Sequence, residues 1–397
     1  MTLRLPARRG RAWRVVLAGV FGLLVLGSAA TAVLVGESGS QKPLSAHERA
    51  ARAAAAPVRR AAAGMSLPVA VAQVFIVGTD AQFPRDPFFA ELRGRGWGAV
   101  VLGPGKVVDS GQARELAGEI GVVSRQAKFI APLVAAEQSG GDASTFTDLP
   151  PRAQTLAGDL GRPAAARSDA RAAARALREL GVRMTLAPVA DVGAAAGPLQ
   201  DRVFSDDPAV VVRLTRAAVE GWRSGGVIPA VGHFPGQGAA SEDPDTANAT
   251  VGLSLADLRS RDLRPFAAVA RRAPVIQLSN AVYAAYDGVT PATVLPDVAR
   301  LLRHDLHYRG VVMTADLAAT APVLGTGVGT AAVQALRAGA DLLYVSGGPA
   351  QQEAAYRAVL RAVRTKRISR DRLMQSVRRV LALKRSAGLL PAARPRR

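Results

Sequence analysis

The chain has no cysteine, only four histidines, and aromatic residues at 5% of its 397 positions. Without thiols there is no disulfide, thiolate metal site, cysteine nucleophile or lipid-modified cysteine behind a leader. The absence leaves the redox compartment open, because either kind tolerates it. His47, His233, His304 and His307 stand apart from one another and from any dense carboxylate cluster. No metal-ligand spacing results, and neither a metal nor a cofactor is expected. The distribution of charge also argues against a nucleic-acid reading. Residues 1–60 hold ten Lys/Arg against two acidic groups, and residues 361–397 hold thirteen against one. Those ends account for the whole formal charge of +20 and leave residues 61–360 neutral overall. A nucleic-acid site would normally lie within the folded domain, so no such partner is expected.

What the N-terminus does have is one long apolar run. Arg4, Arg8, Arg9, Arg11 and Arg14 precede an uncharged, mostly apolar stretch over residues 15–36, long enough to cross a bilayer as a helix. Arginines ahead of it favour a cytoplasmic N-terminus and an outward-facing remainder. Small residues at Ser28, Ala29, Ala30 and Ala32 also suit a cleavage site, so residues 1–36 read as a membrane anchor or a signal peptide. In both cases the body is expected on the extracytoplasmic face of the cell membrane, or secreted. Residues 37–64, rich in Ala and Arg without a clear apolar stripe, read as a linker with room for some helix, and residues 387–397 as a basic tail.

From about Ser66 the chain repeats a short apolar strand, a turn and a helical stretch. Strands are expected over residues 71–77, 99–102, 133–136, 184–187, 227–231, 275–278, 311–314 and 342–345. Helical patterns occupy 168–180, 209–224, 255–271 and 295–306. Eight strands alternating with helices predict a TIM-type (β/α)8 barrel in a single domain over residues 65–386. An open doubly wound sheet is disfavoured, because no glycine-rich nucleotide fingerprint follows the first strand. A barrel places function just past its strand C-termini. The unusual segments fall there: Glu137-Gln138-Ser139-Gly140-Gly141, Pro188-Val189-Ala190-Asp191-Val192, residues 232–245, and Thr314-Ala315-Asp316.

These segments, in this order, resemble glycoside hydrolase family 3, in its β-N-acetylhexosaminidase branch. Met65-Ser66-Leu67 with Gln73-Val74-Phe75-Ile76-Val77-Gly78 is similar to the family's opening, and Leu186-Ala187-Pro188-Val189-Ala190-Asp191-Val192 to its F-A-P-V-A-D-V. Gly232-His233-Phe234-Pro235-Gly236-Gln237-Gly238 resembles K-H-F-P-G-H-G. Asp201-Arg202-Val203-Phe204, Pro291-Ala292-Thr293, Ala335-Leu336-Arg337-Ala338-Gly339-Ala340-Asp341 and residues 376–384 continue the likeness. The chemistry implied is retaining hydrolysis: a carboxylate attacks the anomeric carbon, a second group protonates the leaving oxygen, and water resolves the glycosyl-enzyme.

Carried over residue by residue, that pattern is altered where the chemistry is hardest. The nucleophile position falls on Ala315, whose methyl group cannot attack carbon. Asp316 beside it would substitute only after a local backbone rearrangement, because neighbouring strand positions face opposite ways. The acid/base position is occupied by Asp245, with Asp243 two residues earlier. The resemblance assigns sugar contacts to Glu137, Arg202 and His233, while Gly232 and Gln237 stand where the branch has Lys and His, Asp142 where it has Arg, and Asn280 where it often has His. The expected ligand is a carbohydrate, an amino-sugar glycan of the peptidoglycan type. The expected protein is a catalytically impaired relative, monomeric, with a membrane contact through its N-terminal segment. An active retaining β-glycosidase acting on β-N-acetylglucosaminides is the alternative reading, and an anchored structural protein without sugar binding a third.

Overall fold

The computed structural model describes residues 45–103, 107 and 109–390. The anchor or signal segment expected at residues 1–36 lies outside the described residues, as do residues 391–397 of the tail. Among the described residues no helix is long and apolar enough to cross a membrane.

Eight parallel strands close into a barrel: β1 (Phe75–Thr79), β2 (Ala99–Leu102), β3 (Leu133–Ala136), β4 (Met184–Thr185), β5 (Ile228–Phe234), β7 (Val275–Leu278), β9 (Val311–Asp316) and β10 (Leu342–Val345). Two short strands at the mouth, β6 (Thr250–Val251) and β8 (Val282–Tyr283), pair with each other. The barrel closes because alternate residues of each strand are apolar on both faces. Ile76, Val101, Ala135, Met184, Ala230 and Met313 fill the interior. Phe75, Val77, Val100, Leu102, Val134 and Val312 pack outward against the helices.

The C-terminal helix (Arg370–Ser386) brings Val380 and Leu383 onto the interior cluster, at the N-terminal ends of the strands. Its buried Lys384 donates from Nζ to Gln73 Oε1 at 2.7 Å and to the Trp97 carbonyl at 3.2 Å. Asp341, also buried, takes Arg303 at 2.5 Å, Arg379 at 2.8 Å and Arg372 at 3.4 Å. These contacts give the A-G-A-D segment and the last helix a structural purpose.

Three sequence expectations need correction. The first strand does not begin at 71: Leu67–Ala72 is a short helix, and β1 starts at Phe75. Ser66 stands at its N-cap and Pro68 in its first turn, while an all-apolar run that short gives no period to separate buried helix from buried strand. The helix expected over 255–271 is two helices, Leu255–Ser260 and Leu263–Val269. The one expected over 295–306 is an α-turn, Pro296–Arg300, continued as a π-helix, Leu301–Asp305. Within residues 37–64, read as a linker with room for some helix, the chain forms a helix, Ala46–Ala63, whose Val58 and Ala62 are buried in the core.

Two barrel strands are irregular at the mouth. Between β5 and β7 the register runs from Val231↔Ile276 to Phe234↔Leu278, so β5 holds one extra residue at Gly232-His233. Between β9 and β10 it runs from Met313↔Leu342 to Asp316↔Tyr344, so β9 holds one extra at Thr314-Ala315. Such bulges re-aim side chains beside active sites.

Candidate active site

Asp191 is the platform of the mouth. It follows β4 on a segment that runs beside the end of β5, with the Ala190 amide donating to the Gly232 carbonyl at 2.5 Å. Fully buried, Asp191 accepts the backbone amides of His233 at 3.2 Å and Gln237 at 2.7 Å, and lies 2.8 Å from His233 Nδ1. Burial works against a charged His233, but the charge and hydrogen bond of Asp191 outweigh it, and the imidazole pKa is raised. His233 is thus held in one orientation at the mouth by Asp191. Gln237 Oε1 accepts from Ser279 Oγ at 2.7 Å, while its Nε2 is buried without a partner.

Arg202, on a 3-10 turn (Gln200–Arg202), has only 10% of its side chain exposed. Its guanidinium grips Asp243 Oδ2 through Nη2 and Asp245 Oδ2 through Nη1, the latter at 2.8 Å. Asn280 Nδ2 donates to the Pro244 carbonyl at 3.3 Å, and Asn280 Oδ1 accepts from Thr320 Oγ1 at 2.8 Å. The 243–245 loop is therefore latched from two sides. The resemblance offered Arg202 as a sugar contact; the structure pairs it with two carboxylates.

Glu137 leaves the end of β3, its backbone fixed by Thr145. Its carboxyl pKa is pushed up to about 7, first by burial, then by the charges of Asp245 and Asp243, with Arg202 and His233 opposing. A carboxyl so placed exchanges protons near neutrality. Tyr344, on the interior side of β10, has its hydroxyl pKa raised first by burial and then by the charges of Asp316, Glu137 and Asp245. A hollow of 330 Å³ opens alongside, lined by Gly78, Thr79, Asp80, Val101, Tyr344 and Ser346.

At the end of β9, Ala315 is buried and its amide donates to Thr293 Oγ1 at 2.9 Å. The adjacent bulge is the backbone irregularity that Asp316 was expected to need, and it sets Asp316 opposite the inward-facing Tyr344. Its carboxylate is nonetheless engaged. Asp316 caps the next helix by accepting from Ala318 N at 3.0 Å, and it accepts from both the backbone amide (2.9 Å) and the hydroxyl of Ser346. Burial raises its pKa and Asp245 adds to this, while the bonds from Ser346 and Ala318 pull it down.

The structure thus brings Glu137, Arg202, His233, Asp243 and Asp245 into one electrostatic cluster, with Asp316 at its edge and no carboxylate at position 315. Among the described residues no group of three or more His, Asp or Glu is arranged to hold a metal. Sequence reasoning quoted Asp191 only as part of a motif and missed Asp262 and Tyr344. Asp262 is fully buried with neither carboxylate oxygen hydrogen-bonded, and burial pushes its pKa up to about 7. Its signal was spacing: in the sequence Leu258, Asp262, Phe266 and Val269 recur at helical intervals, a charged residue among apolar ones, although the helix breaks between Ser260 and Leu263.

The family model of the glycosyl hydrolase family 3 N-terminal domain matches residues 71–383. A beta-hexosaminidase of Xanthomonas oryzae is 30% identical over 242 residues, 59% of this chain and 72% of its own. A second beta-hexosaminidase of Xanthomonas oryzae, 33% identical, is spanned over 55% of its length. Among solved structures, a glycoside hydrolase family 3 beta-N-acetylglucosaminidase from a Paenibacillus species superposes with a TM-score of 0.76 at 30% identity. That match covers 82% of this chain and 63% of the other. A beta-N-acetylhexosaminidase from Beutenbergia cavernae gives 0.73 at 29% identity, covering 81% of this chain and 99% of the other.

Proposed function

Since the chain belongs to the glycosyl hydrolase family 3 N-terminal domain family, we propose that its barrel mouth binds amino-sugar glycans of the peptidoglycan type while hydrolysing them poorly or not at all. The end of β9 carries this reading. Retaining hydrolysis needs a carboxylate free to attack the anomeric carbon, and position 315 offers a buried methyl group. The neighbouring Asp316 is a helix cap whose oxygens accept three hydrogen bonds, which stabilise its charge and blunt its nucleophilicity. Ground-state binding makes no such demand, because losing a transition-state interaction leaves hydroxyl contacts in place. Glu137, Arg202 and His233 are the side chains that would make those contacts. The leader supports an extracytoplasmic body held to the membrane by its N-terminal segment, and a monomeric protein fits this arrangement.

The bulge of β9 favours one second reading, an active retaining β-glycosidase with Asp245 as acid and Asp316 as nucleophile. Incubation with an aryl β-N-acetylglucosaminide, and mass spectrometry after a fluorinated glycoside, separate the two. Binding without turnover is expected: a higher melting temperature with N-acetylglucosamine oligomers, and no covalent adduct. Turnover that disappears in Asp316→Ala would establish the second reading. Neither turnover nor a melting shift with any glycan would overturn both.

A further inference from the structure

The end of the barrel opposite the mouth has its own electrostatic character. Helices in such a barrel run back against the strands, so their C-termini gather at the N-terminal end of the sheet. A cationic residue in a last turn complements the helix dipole, which accounts for single residues such as Arg125, Arg178 and Arg223. It does not account for their company. Three hollows open at this end. The first, 470 Å³, is lined by Arg114, Arg125, Arg178 and Arg183, with Glu179 its only acid. The second, 710 Å³, is lined by Arg223, Arg271, Arg272, Arg309 and His307 and by no acid. The third, 620 Å³, is lined by Arg59, Arg378, Arg379 and Arg385, again without an acid.

Among the described residues, Arg178, Arg183, Arg223, Arg271, Arg272 and Arg309 form no ion pair. Burial and the neighbouring Arg178 lower the pKa of Arg183, the mark of cations crowded without a counter-charge. Residues 61–360 are neutral overall, so the fold segregates charge, with Glu137, Asp243, Asp245 and Asp316 at the mouth and arginines opposite.

We infer that this arginine-lined end is a docking surface for an anionic phospholipid bilayer, which turns the mouth away from the lipid. Guanidinium groups recognise phosphate headgroups through paired donors and a charge that never titrates. The course of the chain favours lipid over another polyanion. Ala54, Ala55, Val58 and Arg59 of the helix Ala46–Ala63 line the third hollow. Residues 37–45 alone separate that helix from the apolar run at 15–36, a span of about 30 Å at full extension. A chain held by that run keeps this end within reach of headgroups. The choice of lipid rests on the membrane attachment proposed above; the surface itself does not.

The absence of cysteine makes the test clean. In the full chain, Ser224→Cys places a fluorescent label beside Arg223, and Val289→Cys places one on an exposed loop at the mouth end, where Val289 is 72% exposed. On vesicles containing about 30% phosphatidylglycerol, acrylamide quenching of the first label should fall about threefold or more relative to pure phosphatidylcholine. Quenching should recover in about 0.5 M NaCl, and the mouth label should not respond to lipid charge. Replacing Arg223, Arg271, Arg272 and Arg309 together by Ser should abolish the protection at an unchanged melting temperature. If that variant does not fold, the salt reversal decides the same point. A chain that floats with both vesicles yet shows equal quenching overturns the docking and leaves the attachment standing. A chain that floats with neither overturns both. Protection by double-stranded DNA and not by anionic vesicles reassigns the face to nucleic acid.

Discussion

Replacing Glu137 by Gln isolates the charge state of the mouth. The carboxyl has its pKa raised from 4.5 to about 7, burial acting first and the carboxylates of Asp245 and Asp243 adding to it against Arg202 and His233. Because the folded-state value lies above the unfolded one, the native protein prefers the protonated form. The stability this contributes is fully present below about pH 4.5 and is lost as the pH rises through about 7, with nothing more to lose beyond. The interval corresponds to about 3 kcal/mol. Gln has nearly the same shape and stays neutral throughout, so E137Q should lack that loss. In urea unfolding the variant should match the wild type near about pH 4 and exceed it by up to about 3 kcal/mol near about pH 8. A difference between the two proteins that is the same at both pH values would refute the argument, and with it the claim that burial beside Asp245 and Asp243 raises the Glu137 carboxyl.

Arg202→Gln leaves Asp243 and Asp245 without their cation. Since 41% of the Asp245 side chain is exposed, the loss should be about 2 kcal/mol rather than the 3–5 kcal/mol of a fully buried pair; urea unfolding reads it, and a pH series should show the Glu137 transition moving upward. Gly236→Ala forces a side chain onto a residue at φ +121° and sets its Cβ 2.5 Å from that of Asp262. It should lower stability by more than about 2 kcal/mol, whereas Gly252→Ala, with no atom within 4 Å, should be nearly neutral in the same melting assay. Asp341→Asn removes the charge that Arg303, Arg372 and Arg379 share in a fully buried position, and thermal melting should report a loss of about 3–5 kcal/mol.

Much of the barrel was legible because its strands are short apolar runs at a regular spacing. The matches at 99–102, 133–136, 275–278 and 342–345 were marked by their place in the alternation with helical stretches, since so short an apolar run has no period of its own. Legibility failed where an all-apolar segment carries no period, as at Leu67–Ala72, and where a charged residue joins a buried stripe, as at Asp262. The site was legible as composition but not as geometry. Sequence spacing placed Glu137, His233 and Asp245 past strand ends and the resemblance added Arg202, yet neither could show Arg202 closing on the 243–245 loop, since residues some forty positions apart meet only through the fold. Nor does strict strand alternation foresee the bulge at Thr314-Ala315, which changes the direction in which Asp316 points.

That geometry also decides how hydrolysis could be restored. The resemblance suggests Ala315→Asp, but the mouth already sets Glu137, Asp243, Asp245 and Asp316 against Arg202 and His233. Another carboxylate there would raise the pKa of Glu137 further and would itself be driven toward its neutral, non-nucleophilic form. Asp245→His removes one negative charge and supplies a group that titrates near neutrality, while Arg202 keeps Asp243 as its partner. The double variant therefore leaves the carboxylate count of the mouth unchanged. Turnover of an aryl β-N-acetylglucosaminide should be absent in Ala315→Asp alone and measurable in the pair, at least about 100-fold above the single variant, the scale expected for a positioned acid/base. A single variant as active as the double would show that charge balance does not limit this site.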